Sequence, residues 1–174
     1  MKRNIQLILL VLITWLLQTI FGAFVPNSYV TPNMLLILSC SMGFLLGTRT
    51  GMWTGFLAGI FYDLMFGNIF GLTALVFMYA GVLNGKLYRL FFEDDIRVPV
   101  LSAGLFDFIY NIVLFISEYI PDHSVRFGQC LKTIILPDVF ATILAAIPLY
   151  LIYRWLSRRM LADQLEEEQS PWLR

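Results

Sequence analysis

The sequence predicts an all-α protein, a single polytopic bundle of six transmembrane helices. Of its 174 residues, 59% are hydrophobic and 14% charged, and the mean hydropathy is +0.75, whereas soluble domains carry about 25% charged residues. Apolar runs fill almost the whole chain, so no segment remains for a separate soluble domain. Residues typical of turns and helix caps stand at the ends of these runs.

Four runs are long enough to cross a membrane as single helices. A hydrocarbon core about 30 Å thick requires roughly 20 apolar residues, because each helical residue rises about 1.5 Å. The four predicted spans are 5–25, 70–91, 98–116 and 134–156. Each of them should cross the bilayer once.

The apolar stretch 32–66 is too long for one span, since as a single helix it would measure about 52 Å. Its break is predicted at Gly47-Thr48-Arg49-Thr50-Gly51, where two glycines and a charge favour a tight polar turn. This gives spans at 32–48 and 51–66. Thr31-Pro32 supports the first boundary, because a hydroxyl followed by proline is typical of a helix start.

The membrane domain is therefore predicted to cover residues 1–160, with a cytoplasmic tail at 161–174. Six spans place both termini on one side, and the distribution of Lys and Arg selects that side. Only Arg126 and Lys132 fall on the opposite side. The remaining basic residues are Lys2, Arg3, Arg49, Lys86, Arg89, Arg97, Arg154, Arg158, Arg159 and Arg174. Both termini are therefore predicted to be cytoplasmic.

Glycines follow one another at intervals of four residues through the second and third predicted spans. In lipid, small residues allow helix backbones to approach closely and pack. The predicted helix-packing positions are Gly43, Gly47, Gly51, Gly55, Gly59, Gly67 and Gly71. Close packing of spans two, three and four within one molecule is favoured over a groove for another molecule.

Acidic residues inside apolar spans are the strongest polar signal in the sequence. Asp63, Asp107 and Asp138 have no Lys, Arg or His within the bilayer to pair with, and Asn111 lies one helical turn after Asp107. Ionised acids at a helix centre cost about 2.5–3.5 kcal/mol on insertion scales. These carboxyl groups are therefore either hydrogen-bonded, with Tyr62, Tyr110, Asn111 and Thr142 as candidate partners, or protonated. Helix-to-helix bonding and a functional role are equally supported.

Enzymatic chemistry is not predicted. An intramembrane aspartyl protease needs two carboxylates that share a proton, and no second acid motif accompanies Tyr62-Asp63. The only histidine, His123, lies in a loop, and Cys40 and Cys130 lack metal-binding spacing. No catalytic residue, metal, cofactor or nucleic acid is therefore predicted. A scaffold and a solute or proton transporter that uses the three acids remain as alternatives.

The ordered set of motifs resembles the rod shape-determining protein MreD family over nearly the whole chain. A proline leads the second span, glycines and one acid mark the third, and Gly-Leu opens the fourth. The matching residues are Pro32, Gly47, Gly51, Gly55-Phe56, Gly59, Asp63, Gly67, Gly71-Leu72, Tyr79 and Gly85, followed by Pro137, Pro148-Leu149-Tyr150 and Arg154.

The resemblance implies a non-enzymatic scaffold of the bacterial cell-elongation machinery in the cytoplasmic membrane. It implies MreC as a partner, together with MreB and the elongation-specific peptidoglycan glycosyltransferase and transpeptidase. It also implies a fold similar to the substrate-binding components of energy-coupling vitamin transporters, which keeps a small-solute function as the alternative. The sizeable outer loop, with Asp122, His123 and Arg126, is predicted to contact the extracytoplasmic base of MreC or an enzyme of wall synthesis.

Overall fold

The computed structural model describes residues 2–24, 30–66, 70–88, 96–118 and 127–169. All regular structure in these ranges is helical, so the all-α prediction is confirmed for them. The elements are α1 (Lys2–Phe24), α2 (Met34–Leu46), α3 (Thr48–Phe66), α4 (Leu72–Leu87), α5 (Arg97–Glu118), α6 (Phe127–Cys130), a π-helical segment (Leu131–Ile135) and α7 (Leu136–Gln169).

The helices of the bundle differ in length. Within the described residues, three helical segments are long and apolar enough to cross a membrane, namely 4–24, 97–116 and 131–162. By contrast, α2 has 13 residues and α4 has 16, which correspond to about 20 and 24 Å. Both are apolar but shorter than a hydrocarbon core. Their ends must therefore find polar partners inside the protein.

The centre of the bundle is α2, and every residue from Leu35 to Phe44 is buried. It packs against α1, α3, α4, α5 and α7. A helix that is apolar on all sides must be buried against other elements or against lipid, and here the other helices surround it. The most extensive helix pair is α3 against α4, so α2, α3 and α4 form the compact middle of the molecule.

The outer surface is built mainly from the long helices. Large apolar side chains of α1 are exposed along its whole length, from Ile5 to Phe24. Phe140, Leu144 and Leu151 of α7 are exposed as well. This apolar surface indicates a protein that is surrounded by lipid, because soluble proteins rarely expose such large apolar areas.

The chain reverses direction between α2 and α3 at Gly47. Its φ of 87° and ψ of 174° fall in a region that is almost restricted to glycine. Gly47 donates its N–H to the carbonyl of Gly43 and accepts from Gly51, with both N···O distances at 3.0 Å. One residue thus closes α2 and opens α3. The reversal lies at the first residue of the predicted turn, whereas Thr48, Arg49, Thr50 and Gly51, which were predicted to form the rest of that turn, already belong to α3.

Candidate functional site

Three glycines of α3 lie directly against the backbones of α2 and α4. A β-carbon added at Gly55 would collide with the carbonyl oxygen of Phe77 and with Ser39 Oγ. One at Gly51 would meet Gly43 and Gly81, and one at Gly59 would meet Ala74. Ser39 Oγ also donates a 2.7 Å hydrogen bond to the Phe77 carbonyl. The helices α2, α3 and α4 are therefore in close backbone contact at these glycines, where no added side chain would fit.

The α4 side of this contact contains two glycines that are absent from the predicted packing set. A β-carbon at Gly81 would collide with the Gly51 carbonyl, and one at Gly85 with the backbone of Thr48. Gly81 and Gly85 are four residues apart, the same spacing that marks α3. That spacing is the sequence signal that would have identified them.

Gly47 and Gly71 differ from their predicted role in helix packing. Among the described residues, no atom lies within 4 Å of a β-carbon added at either glycine, and their φ angles are +87° and +93°. Their function is conformational, because glycine adopts positive φ without steric cost. They shape the turns that precede α3 and α4. Gly67, the remaining glycine of the predicted set, lies outside the described residues.

Asp63 of α3 caps the N-terminus of α4. Its Oδ2 accepts hydrogen bonds from the backbone N–H groups of Gly71, at 2.8 Å, and Ala74, at 3.3 Å. The first N–H groups of a helix have no acceptor within that helix, and a carboxylate near them also interacts favourably with the helix dipole. Asp63 is only 4% exposed. A buried acid in one helix therefore satisfies the end of its neighbour.

The backbone N–H groups at the N-terminus of α2 also have acceptors within the protein. Asn33 is its N-cap residue and accepts from the N–H of Leu36 at 3.3 Å. The N–H of Leu35 donates to Gln18 Oε1 of α1 at 3.1 Å, and the N–H of Met34 donates to the Pro32 carbonyl at 3.0 Å. The three N–H groups that open this central helix thus all have protein acceptors.

Asp107, Asn111, Asp138 and Thr142 meet the segment before α2, and we call this cluster, together with Thr31 and Asn33, the polar node. Asp107 Oδ1 accepts from Asn33 Nδ2 at 3.3 Å, and Thr142 Oγ1 accepts from the Asn33 N–H at 3.2 Å. Asp138 accepts from the Thr31 N–H at 2.9 Å and from Asn111 Nδ2 at 3.1 Å. The node therefore joins α5 and α7 to the start of α2.

Asn33 and Thr31 were not among the predicted site residues, although they hold the polar node together. The available signal was the Thr-Pro-Asn sequence at a helix start, which is used above only to place a helix boundary.

Tyr62 and Tyr110, suggested as hydrogen-bond partners of the acids, lie with their ring centroids 5.9 Å apart at an interplanar angle of 88°. Phe77 contacts both rings, so these aromatic side chains pack α3, α4 and α5 together.

The three acids do not line either of the two cavities described here. One lies between α1 and α3, and the other lies among α2, α4 and α7, where Phe44, Tyr88 and Ser157 are part of its lining. Within the described ranges, no group of three His, Cys, Asp or Glu side chains could hold a metal ion. Asp122, His123 and Arg126 of the predicted partner loop lie outside the described residues.

These features define a class of protein: a helical membrane protein whose intramembrane polar side chains join helices and satisfy helix ends. The family model of the rod shape-determining protein MreD matches residues 1–160, and the chain therefore belongs to the MreD family. No curated protein and no solved structure matches it. Likeness to the vitamin-transporter components accordingly stays a prediction.

Family membership implies a part in rod-shape determination. MreD proteins are shape-determining structural proteins and are not known as enzymes. They belong to the shape-determining system, which fits partners from the Mre group in general.

Proposed function

We propose that this chain is a non-enzymatic scaffold of the cell-elongation machinery. It is a multi-pass protein of the bacterial cytoplasmic membrane with both termini in the cytoplasm, and it couples MreC and MreB to peptidoglycan synthesis. MreC is its direct membrane partner, and the elongation-specific glycosyltransferase and transpeptidase act in the same assembly.

The observation that supports a scaffold best is the use made of the intramembrane polar groups. Asp63 binds the first turn of α4, and the polar node binds the start of α2 to α5 and α7. Asp63 and Asp138 are engaged with backbone N–H donors and Asp107 with the side chain of Asn33, so a substrate could bind the same oxygens only if these hydrogen bonds were lost. The polar interior therefore favours a rigid body over a transport path.

A rigid interior leaves the outer apolar face to contact partners. Positions on this face include Leu12 of α1, Leu75 of α4, Leu101 of α5 and Phe140 of α7, all exposed. Helices associate in membranes through packing of such surfaces, so a single-span partner would bind along one of them. The loop with Asp122, His123 and Arg126 is the proposed contact outside the membrane.

In-cell crosslinking would test the scaffold proposal. A photoreactive amino acid is placed in turn at Leu12, Leu75, Leu101 and Phe140, with buried Ala103 as the matched control. The expected result is a crosslink to MreC from the exposed positions that lie along its binding surface, and none from Ala103. Equal background labelling at every exposed position, with no MreC adduct, would contradict a scaffold that binds MreC through its helices.

The loop contact is tested separately by co-purification. Asp122→Ala and Arg126→Ala should lower the amount of MreC recovered with the protein, while Lys132→Ala, predicted on the same side, should not. If MreC is recovered in full with both loop variants, the loop is not the contact.

A small-solute function remains the second candidate because two buried carboxyl oxygens could still accept hydrogen bonds. Asp63 Oδ1 and Asp107 Oδ2 are buried and have no hydrogen-bond partner among the described residues. Native mass spectrometry of the purified protein distinguishes the candidates. A small molecule retained by the protein and lost in Asp107→Asn would favour solute binding, whereas protein that retains MreC but no molecule whose binding depends on Asp107 favours the scaffold.

A further inference from the structure

A groove lies between the N-terminal halves of α1 and α3. Further toward the C-terminal ends of both helices, Trp15 and Phe61 are in contact, with their ring centroids 6.2 Å apart. The groove has a volume of about 470 Å³, within the range of small-molecule sites. Its lining includes Asn4, Leu7 and Val11 of α1 and Arg49, Trp53 and Leu57 of α3.

This groove is amphipathic along its length. Leu7, Val11 and Thr54 are buried in its floor, and the Thr54 hydroxyl donates to the Thr50 carbonyl at 2.8 Å, so it is satisfied within α3. Arg49 and Asn4 stand exposed at the end where both helices begin. One end therefore offers a cation and an amide, and the rest offers apolar walls.

We propose that this groove binds an anionic phospholipid, with the headgroup phosphate at Arg49 and an acyl chain along Leu7, Val11 and Leu57. Charge complementarity selects this occupant, because Arg49 is a planar donor suited to phosphate. The first-turn N–H groups of α3 lie at the same end and add positive potential there. Trp53, 59% exposed, supplies the amphipathic ring that is common at membrane interfaces.

The proposed orientation places this site in the inner leaflet, where Lys and Arg are enriched. Basic side chains near a membrane surface contribute to the binding of anionic lipids, each by about fivefold in affinity. The site is independent of MreC, so its failure would leave the scaffold proposal intact.

Native mass spectrometry of the full chain in detergent tests the proposal, with dioleoyl-phosphatidylglycerol as the probe and dioleoyl-phosphatidylcholine as the acyl-matched neutral lipid. The expected result is preferential retention of phosphatidylglycerol, reduced about fivefold by Arg49→Gln. Lys86→Gln is the matched control. Lys86 is exposed at the end of α4, and the preceding residue Gly85 packs on Thr48, so it lies at the level of Arg49 but outside the groove.

Equal retention of the two lipids, or equal losses in Arg49→Gln and Lys86→Gln, would overturn the proposal. A second variant, Leu57→Trp, fills the apolar end without a change of charge and should also lower phosphatidylglycerol binding. Unchanged binding in that variant would contradict an acyl chain in the groove. A photoreactive residue at position 53 should yield a lipid adduct in cells, and a polypeptide adduct there would instead assign the groove to a partner helix.

Discussion

At the scale of single residues, Asp63 shows why an acid can be stable inside an apolar bundle. Its oxygen accepts from Gly71 and Ala74, so the polar carboxylate replaces the water that a helix end would otherwise bind. Gly71 adopts a left-handed conformation at this cap, which brings its N–H to the acid. The insertion cost of the acid is thus offset by the removal of two unsatisfied donors.

We expect Asp63→Ala to lower the free energy of unfolding by about 1–3 kcal/mol, because the half-buried N–H group of Gly71 and the buried N–H group of Ala74 lose their acceptor. Asp63→Asn should lower it by less, since an amide oxygen can still accept. Thr19→Ala is the control: Thr19 is exposed and bonds only its own helix, so a change within about 0.5 kcal/mol is expected. Unfolding in detergent micelles by denaturant titration measures all three. A stable Asp63→Ala protein that fails to restore rod shape would assign Asp63 a functional role.

The glycine contacts are also decided at single residues. Gly81→Ala should destabilise the fold by about 1–3 kcal/mol, because its β-carbon would meet the Gly51 carbonyl and one backbone must move. Gly22→Ala, for which no atom of the described ranges lies within 4 Å of the added carbon, should instead be neutral or stabilise α1 by up to about 1 kcal/mol. Thermal unfolding of the two variants provides the comparison. Similar melting temperatures would contradict the close approach of α3 and α4.

At the scale of elements, the short length of α2 and α4 explains where the polar residues lie. A helix of about 20 Å cannot extend both ends to the headgroups of a 30 Å core, so the ends require protein partners. Asn33 and Gln18 provide them for α2, and Asp63 provides them for α4. The intramembrane acids and amides are therefore consequences of short helices in the middle of the bundle.

The polar node predicts energetic coupling between elements. In a double-mutant cycle of Asn33→Ala and Asp107→Ala, we expect a coupling free energy of about 0.6 kcal/mol and at most about 1.7, the range for hydrogen bonds between membrane helices. Asn33→Ala combined with Ser157→Ala is the control cycle, because Ser157 donates to Arg154 within α7 and lies fifteen residues beyond Thr142. Its coupling should be zero within about 0.5 kcal/mol. Equal coupling in both cycles would argue against a direct bond.

At the scale of the whole molecule, the proposed topology follows from charge and from the reversals of the chain. Residues near Arg49, Lys86 and the end of α7 should all lie in the cytoplasm, and the loop near Asp122 should lie outside. The native thiols do not interfere with labelling, because Cys40 is 0% and Cys130 4% exposed.

We therefore expect a membrane-impermeant maleimide to label Asp122→Cys in intact cells. Ala162→Cys, exposed on α7, should be labelled only after the membrane is permeabilised. The unsubstituted chain measures background labelling. Labelling of both positions in intact cells, or of Ala162→Cys alone, would contradict the six-span arrangement with cytoplasmic termini.

The structural features that the sequence predicts best are those with a local signal. Hydrophobic runs predict the helices, and the glycine pair near Arg49 predicts the reversal at Gly47. The spacing of four predicts that Gly51, Gly55 and Gly59 share a face. Local patterns could not separate packing glycines from turn glycines, because Gly47 and Gly71 continue the same spacing while their positive φ depends on how the chain enters the next helix.

By itself, the sequence determined that this protein is helical, apolar enough for lipid and marked by close-packing residues, since these properties depend on composition and on neighbours along one helix. Only the tertiary structure decided that Asp63 caps α4, that Asp107 and Asp138 bind Asn33 and Thr31, and that α2 is the buried centre. Those contacts join residues up to 107 positions apart. No periodicity within one helix encodes which neighbour supplies the acceptor, because that depends on how α1, α3, α4, α5 and α7 are arranged around α2.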